Sequence, residues 1–436
     1  MKPVKVGVIG LGTVGGGTVN VLKRNALEIS RRAGREIVVS RAAARNLNQP
    51  RICDTQGIDL TSDPFSIVND PDIDVVVELM GGYEPARELV LTAIANGKHV
   101  VTANKALIAL YGNEIFAEAS RQGVMVLFEA AVAGGIPIIK AIREGLSGNR
   151  IKWLAGIING TGNFILTEMR DKGRDFSDVL AEAQALGYAE ADPTFDVEGI
   201  DAGHKLTILA SIAFGIPLQF DKVYTEGITR ITRLDVEYAE ELGYRIKHLG
   251  IARNTDQGVE LRVHPTLIPS RRLIANVNGV MNAVLVCGDA VGPTLYYGAG
   301  AGAEPTASAV VADLVDVVRA MTSDPENRVP HLAFQPDAIA DLPILPAEDI
   351  RTAYYLRLTA EDKPGVLADV TRILAGHNIS IEALIQKEPP KGQTSVSIIM
   401  LTQLTLEKEM NAAIAEIEAL AAVTGQVARI RLETLG

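Results

Sequence analysis

Only two cysteines, Cys53 and Cys287, occur in 436 residues. That excludes a disulfide framework and a cysteine-rich metal site, and it fits a reducing compartment. Basic residues are outnumbered: 42 Lys and Arg face 53 Asp and Glu, a net charge of −11. A nucleic-acid partner would want a basic face, so none is expected. Long hydrophobic runs are missing too. The longest charge-free apolar stretch, Leu206–Phe220, is too short to span a bilayer comfortably. The opening "MKPVKVGVIG" enters a strand at once and lacks signal-peptide architecture. The expectation is a soluble cytoplasmic protein with no membrane partner.

What is present is ordinary globular composition, 47% hydrophobic and 22% charged, in a chain long enough for roughly three domains. Short β-branched runs alternate with helical segments from the start: "VKVGVIG" (4–10), "EIVVSRAAA" (36–44), "DVVVELM" (74–80), "KHVVTAN" (98–104) and "VMVLFEA" (124–130). Continuous apolar strands of this kind suit a parallel sheet covered on both faces, a doubly wound α/β domain over 1–130. "PARELVLTAIANGK" (85–98) has helical periodicity, with Gly97 as its cap. Residues 131–304 read as a separate α+β unit, with strands at 151–159 and 259–265. The amphipathic helix 305–321 has Pro305 at its start and completes the first domain. Five prolines between Pro325 and Pro346 mark 322–350 as an exposed linker. Residues 351–436 follow as βαββαβ, with a turn-rich "KEPPKGQ" at 387–393, a ferredoxin-like module.

"GVIGLGTVGGG" sets Gly10, Gly12 and Gly15 in G-x-G-x-x-G spacing between a strand and a helix. The first glycine allows the tight turn, the second admits a pyrophosphate, and the third lets helix and strand pack closely. Free N–H groups at the helix start, around Thr13 and Val14, then face the anion. The second strand ends "RAAARN" with Arg45 and no nearby acid. A guanidinium suits a 2′-phosphate, so NADP is expected ahead of NAD.

Lys105 follows the strand "HVVTANK" and falls at the carboxyl edge of the sheet, where doubly wound folds hold ligands. "NGTGNFILTEM" (159–169) is a glycine-rich loop entering a helix, apt to bind a carboxylate through backbone N–H groups. Glu190, Asp192, Asp196, Glu198, Asp201 and Lys205 then crowd into sixteen residues ahead of an apolar helix. Such crowding is expensive unless a cation occupies it. Asp201 and Lys205 share a helix face at i,i+4, as a surface salt bridge would or as a tuned acid would. His204 points to another face and reads as packing; Trp153 and Tyr188 read as core or pocket wall.

Taken in order, "GLGTVG", "TANKAL", "EAAVAGGIPII", "NGTGNFILTEM", "LGYAEADPTFDVEGIDAGHKL" and "GAGAGAEPTASAVV" (298–311) resemble the homoserine dehydrogenase family across residues 1–320. The resemblance implies NAD(P)H-dependent reduction of L-aspartate 4-semialdehyde to L-homoserine, at the branch toward threonine, isoleucine and methionine. It makes Lys205 the proton donor and Lys105 the second active-site lysine, also beside the cofactor. It sets Glu190, Asp196 and Asp201 around the substrate, with Gly160 and Thr161 in the substrate loop. Gly302 closes on the nicotinamide side. Glu129 and the backbone at Val132, Gly134 and Ile136 match a sodium site. The family usually reads N-G-T-T-N, and Gly162 here removes one hydroxyl. Neither cysteine matches a nucleophile motif, which disfavours a thiohemiacetal dehydrogenase.

"LTAEDKPGVLADVTRILAGHNISIEAL" (358–384) resembles an ACT domain, with Gly365 in the turn between its first strand and helix. That resemblance implies feedback control, most simply by L-threonine, and a homodimer or a homotetramer built from dimers.

Overall fold

Val4–Ile9 (β1) is rich in β-branched residues and leads into Gly10. Around it lie Ile37–Ala43 (β2), Asp59–Thr61 (β3), Val75–Glu78 (β4), His99–Thr102 (β5) and Val126–Leu127 (β6). They pair in the order β3-β2-β1-β4-β5-β6, every pairing parallel. This is the doubly wound arrangement whose ligand crevice opens at the carboxyl ends beside β1. The computed structural model describes residues 2–388 and 394–436, so most of the expected turn at 387–393 lies outside the described residues.

The chain divides into two units. The first comprises the chain up to Gly160, Asp201–Val223 and Val280–Leu342; the second comprises Thr161–Ile200, Tyr224–Gly279 and Pro343–Gly436. In the first unit the helix Ala303–Ala320 packs on the helix Thr13–Arg24, and both share a core with β1 through Val6, Val8, Val19, Leu314 and Val317. The contact is close because Gly17 has no side chain: a Cβ there would lie 2.4 Å from the Ala303 carbonyl oxygen. Ile151–Ile157 (β7), Met281–Gly288 and Gly292–Ala299 form an antiparallel array in the same unit.

The second unit carries the hairpin Tyr244–Thr255 and Gly258–Pro269. Its C-terminal module runs strand Arg351–Glu361, helix Val366–Gly376, strands Ile381–Gln386 and Ser395–Thr402, helix Glu407–Glu418 and strand Val423–Leu432, with a two-residue strand at Thr405–Leu406. The expected βαββαβ order is present. One core cluster joins Tyr355, Ile399, Leu401 and Ile430 of this module to Phe164, Val236 and Leu267.

Several local expectations need correcting. The strand expected over 124–130 holds ladder geometry only at Val126–Leu127, because Glu129–Ala131 turns into a 3-10 helix. The helix before Gly97 ends at Ala95, with Asn96 as cap, and Gly97 takes the left-handed position (φ 70°) beyond it. Pro305 is the third residue of its helix, not the first. The proline-rich 322–350 is not simply an exposed linker. His331 stacks on Phe116 with ring centroids 4.9 Å apart, and its Nε2 accepts the Val126 N–H at 3.2 Å. Prolines exclude regular structure without excluding side-chain packing. Among the described residues, no helix is long and apolar enough to cross a membrane.

Candidate active site

The nucleotide-facing end of the first unit is built by β1 and the helix Thr13–Arg24. Gly10 has φ 102°, and Gly15 packs so tightly that an added Cβ would lie 1.9 Å from the Gly10 carbonyl oxygen. A Cβ on Gly12, in contrast, would meet nothing within 4 Å. Gly10, Gly12, Thr13 and Arg45 line a cavity of about 480 Å³, together with Arg51, Ser62 and Met80. Val14 and Gly15 belong to the first turn of the adjoining helix. These residues fit a dinucleotide: an open cradle over Gly12, a helix N-terminus, and guanidinium groups at the end of β2. Arg51 escaped the sequence reading. Its Nη1 donates to the Leu11 carbonyl at 3.2 Å and its Nη2 to the Asn46 carbonyl at 2.7 Å. Its only sequence signal was a second arginine six residues after Arg45. Gly302, at φ 126°, precedes the helix Ala303–Ala320.

The second cluster converges on one carboxylate. Lys205 lies in the helix Ile200–Phe214, and its Nζ donates to Asp201 Oδ2 at 2.7 Å and to the Ile158 carbonyl at 2.7 Å. Lys105 starts the helix Lys105–Gln122, which Asn104 caps by accepting the Leu107 N–H. Its Nζ is 2.9 Å from Asp201 Oδ1. Asn159, at the exit of β7, donates its amide N–H to Asp201 Oδ2 at 2.9 Å. The Asp201 side chain is 4% exposed, that of Lys205 11% and that of Lys105 38%. Burial alone would push the Asp201 carboxyl up, but the two ammonium groups and the Asn159 amide hold it well below the usual carboxylate range. One buried anion is therefore shared by two cations. His204 packs against Phe220 with ring centroids 4.2 Å apart and the planes tilted by 51°, and burial pushes its imidazole down to about 4 although Asp201 pulls the other way.

Glu129 is buried at the turn after β6. Its two carboxylate oxygens accept the Ile139 and Lys140 N–H groups at 2.9 and 2.7 Å, and its own N–H donates to Asp313 Oδ2 at 2.8 Å. Burial pushes the Glu129 carboxyl up to about 7 against those backbone bonds. Ala133 and Gly134 take left-handed conformations in succession, at φ 55° and 48°. With the carboxylate engaged by backbone donors, a cation at this turn would rest mainly on backbone carbonyls, and oxygen donors of that type suit a hard monovalent ion. Among the described residues, no group of three or more His, Cys, Asp or Glu is arranged to hold a metal.

In the second unit the glycine-rich loop is part of a helix, Gly160–Lys172, which begins at Gly160 and buries Gly162 in its first turn. The Thr161 hydroxyl donates to the Tyr188 carbonyl at 2.6 Å, so it orders the 188–192 segment. Gln184 Nε2 donates to the Glu190 carbonyl at 3.0 Å, and Glu190 itself is exposed. Asp196 lies in the short helix Thr194–Val197, half-buried.

The model for "Homoserine dehydrogenase" matches residues 137–315, that for "Homoserine dehydrogenase, NAD binding domain" residues 10–129, and that for "ACT domain" residues 354–422. A homoserine dehydrogenase of Pseudomonas aeruginosa is 72% identical over 100% of both chains. The crystal structure of a homoserine dehydrogenase from Thiobacillus denitrificans is similar at TM-score 0.95 and 72% identity, covering 100% of this chain and 99% of that one. A hyperthermophilic archaeal homoserine dehydrogenase, solved in complex with NADPH, matches at TM-score 0.60 and 25% identity, covering 72% of this chain and 98% of that one.

Proposed function

The chain belongs to the homoserine dehydrogenase family and is a nicotinamide-dependent oxidoreductase, and from that premise we propose that Lys205 is its acid and Asp201 the group that keeps Lys205 charged. The observation that carries this reading is the Asp201 carboxylate, buried and shared at 2.7 and 2.9 Å by two lysine ammonium groups. Reduction of L-aspartate 4-semialdehyde to L-homoserine builds negative charge on the carbonyl oxygen. An ammonium facing that oxygen both stabilises the charge and supplies the proton. Lys205 is oriented for this by two acceptors, Asp201 and the Ile158 carbonyl. Lys105, more exposed and held by the other oxygen of Asp201, adds positive charge from the cofactor side. Glu190, Asp196, Gly160 and Thr161 are assigned to the substrate, Glu190 to its α-ammonium. A nicotinamide coenzyme supplies the hydride when bound along Gly10, Gly12, Thr13, Val14, Gly15 and Gly302.

Arg45 supports NADP over NAD as the better coenzyme, and the archaeal relative was solved with NADPH. Sodium is assigned to Glu129, Val132, Gly134 and Ile136, where the consecutive left-handed residues support a carbonyl-lined turn. Residues 1–130, 131–304 and 351–436 are read as cofactor, catalytic and regulatory domains, with L-threonine as effector of the last. A homodimer, or a homotetramer built from dimers, is supported by the half-exposed apolar edge strand Gly292–Ala299, where Tyr297 is 59% exposed.

The decisive experiment is Lys205→Ala in the full chain. Turnover should fall by roughly three orders of magnitude while NADPH affinity stays native, because general-acid loss of this kind removes about 10²–10⁴ in rate. Near-native turnover would reject the assignment. A threonine titration tests the regulatory reading, and unchanged rate at saturation would reject it.

A further inference from the structure

Lys247 lies in the strand Tyr244–Thr255 of the second unit and is 1% exposed. Among the described residues it pairs with no carboxylate. Its Nζ donates instead to the Val277 carbonyl at 2.5 Å, to Asn163 Oδ1 at 3.1 Å and to Asn278 Oδ1 at 3.4 Å. Burying an ammonium among neutral acceptors is unfavourable, and an apolar side chain of similar length would avoid the penalty. Burial, with Arg170 and Arg245 nearby, lowers the Lys247 ammonium to about 7 against the pull of Asp171. A lysine on a strand carries no motif, so nothing in the linear sequence marks this residue.

The acceptors explain what the amine does. Asn163 is also 1% exposed, and its Nδ2 donates to the Val277 and Gly279 carbonyls at 3.1 and 2.9 Å. An amide can be placed two ways, and only one puts its oxygen toward an ammonium and its NH₂ toward two carbonyls. Lys247 therefore selects one orientation of Asn163 and ties the first turn of the helix Gly160–Lys172 to the 277–279 loop. Two residues earlier in that turn is Thr161, whose hydroxyl holds the Tyr188 carbonyl, two residues from Glu190.

We propose that Lys247 is a positioning residue for substrate: through Asn163 it holds the Thr161–Asn163 turn, and with it the Tyr188–Glu190 segment, in the geometry that binds the amino-acid part of the substrate. This rests on the reading above that Thr161 and Glu190 contact substrate.

The test is a double-mutant cycle in the full chain, with Lys247→Met, Asn163→Ala and the pair, assayed in homoserine oxidation. Each single variant should raise the KM for homoserine about tenfold, leave kcat within about twofold, and leave the KM for NADP native. The pair should be no worse than the worse single. Multiplicative KM effects would show that Lys247 does not act through Asn163, and a fall in kcat with native KM would also overturn the proposal. Should Lys247→Met fail to fold, Lys247→Arg decides. A guanidinium keeps a donor for Asn163 Oδ1 and leaves the Asn163 NH₂ bonds to the Val277 and Gly279 carbonyls in place, so its homoserine KM should lie nearer native than that of Asn163→Ala; equal values overturn the proposal. Native enzyme inactive on homoserine would instead defeat the functional reading, a separate outcome.

Discussion

Of the three glycines after β1, Gly10 sits at φ 102° and Gly15 would bring a Cβ within 1.9 Å of the Gly10 carbonyl oxygen, so the fold itself requires both. Gly12 differs, since a Cβ there meets nothing within 4 Å. Its requirement must come from a ligand that approaches the backbone. Gly12→Ala should therefore leave the thermal midpoint of the free chain unchanged and weaken NADPH binding by roughly tenfold or more. Calorimetric melting and a fluorescence titration of NADPH read the two effects separately; a destabilised free chain with intact affinity would contradict this. At the same scale, the i,i+4 pair Asp201 and Lys205 was visible in the chain, but its meaning was not. A surface salt bridge and a buried triad have the same spacing, and they differ only by the arrival of Lys105 and Asn159 from segments far away in sequence.

The end of β2 shows how an element divides labour. Arg45 is exposed on the cavity rim, whereas Arg51 binds the Leu11 and Asn46 carbonyls and so braces the glycine loop. Arg45→Ala should lower kcat/KM for NADPH by about tenfold while sparing NADH, because only the 2′-phosphate loses a partner. Arg51→Ala should lower both. Steady-state kinetics with the two coenzymes separate the cases, and an unchanged NADPH-to-NADH ratio in Arg45→Ala would reject its role. The strands at β1, β2, β4 and β5 were legible from their apolar runs, whereas β3 was not, because Asp59–Thr61 is too short and polar to stand out. Segment 322–350 was misread because composition reports backbone propensity and says nothing of where His331 finds Phe116.

Across the whole molecule, buried imidazoles make the fold sensitive to acid. Burial holds His99, His204 and His331 at about 4, against roughly 6.5 when unfolded. Between those values the unfolded chain binds more protons at these sites, so their contribution to stability falls as pH drops through that window and levels off below about 4. From pH 7 to pH 5 the three imidazoles should cost on the order of 5 kcal/mol, of which Glu129, raised to about 7 and so protonated first in the fold, offsets about 2 kcal/mol. The net is a lower urea midpoint at pH 5, and equal midpoints would contradict it. The C-terminal module is also part of a shared core. Removing residues after Leu342 strips Tyr355, Ile399, Leu401 and Ile430 from the cluster around Phe164 and Leu267. It also leaves Asp235, which is 1% exposed, without its 2.6 Å partner Arg357. Such a truncation should aggregate, as size-exclusion chromatography would show, and a soluble, fully active fragment would refute this.

Hydrophobic period and glycine spacing already determined the doubly wound domain and the ferredoxin-like module, since each depends on neighbours within a few dozen residues, and the linear order of motifs determined the family without any distance in space. Tertiary structure alone decided that Lys105, Asn159 and Lys205 meet on one carboxylate, that Arg51 braces the glycine loop, and that Lys247 orients Asn163. Those outcomes depend on distances between segments tens of residues apart. Linear sequence carries the types of the charges, and only the folded chain sets their separation and their burial, on which electrostatic strength depends.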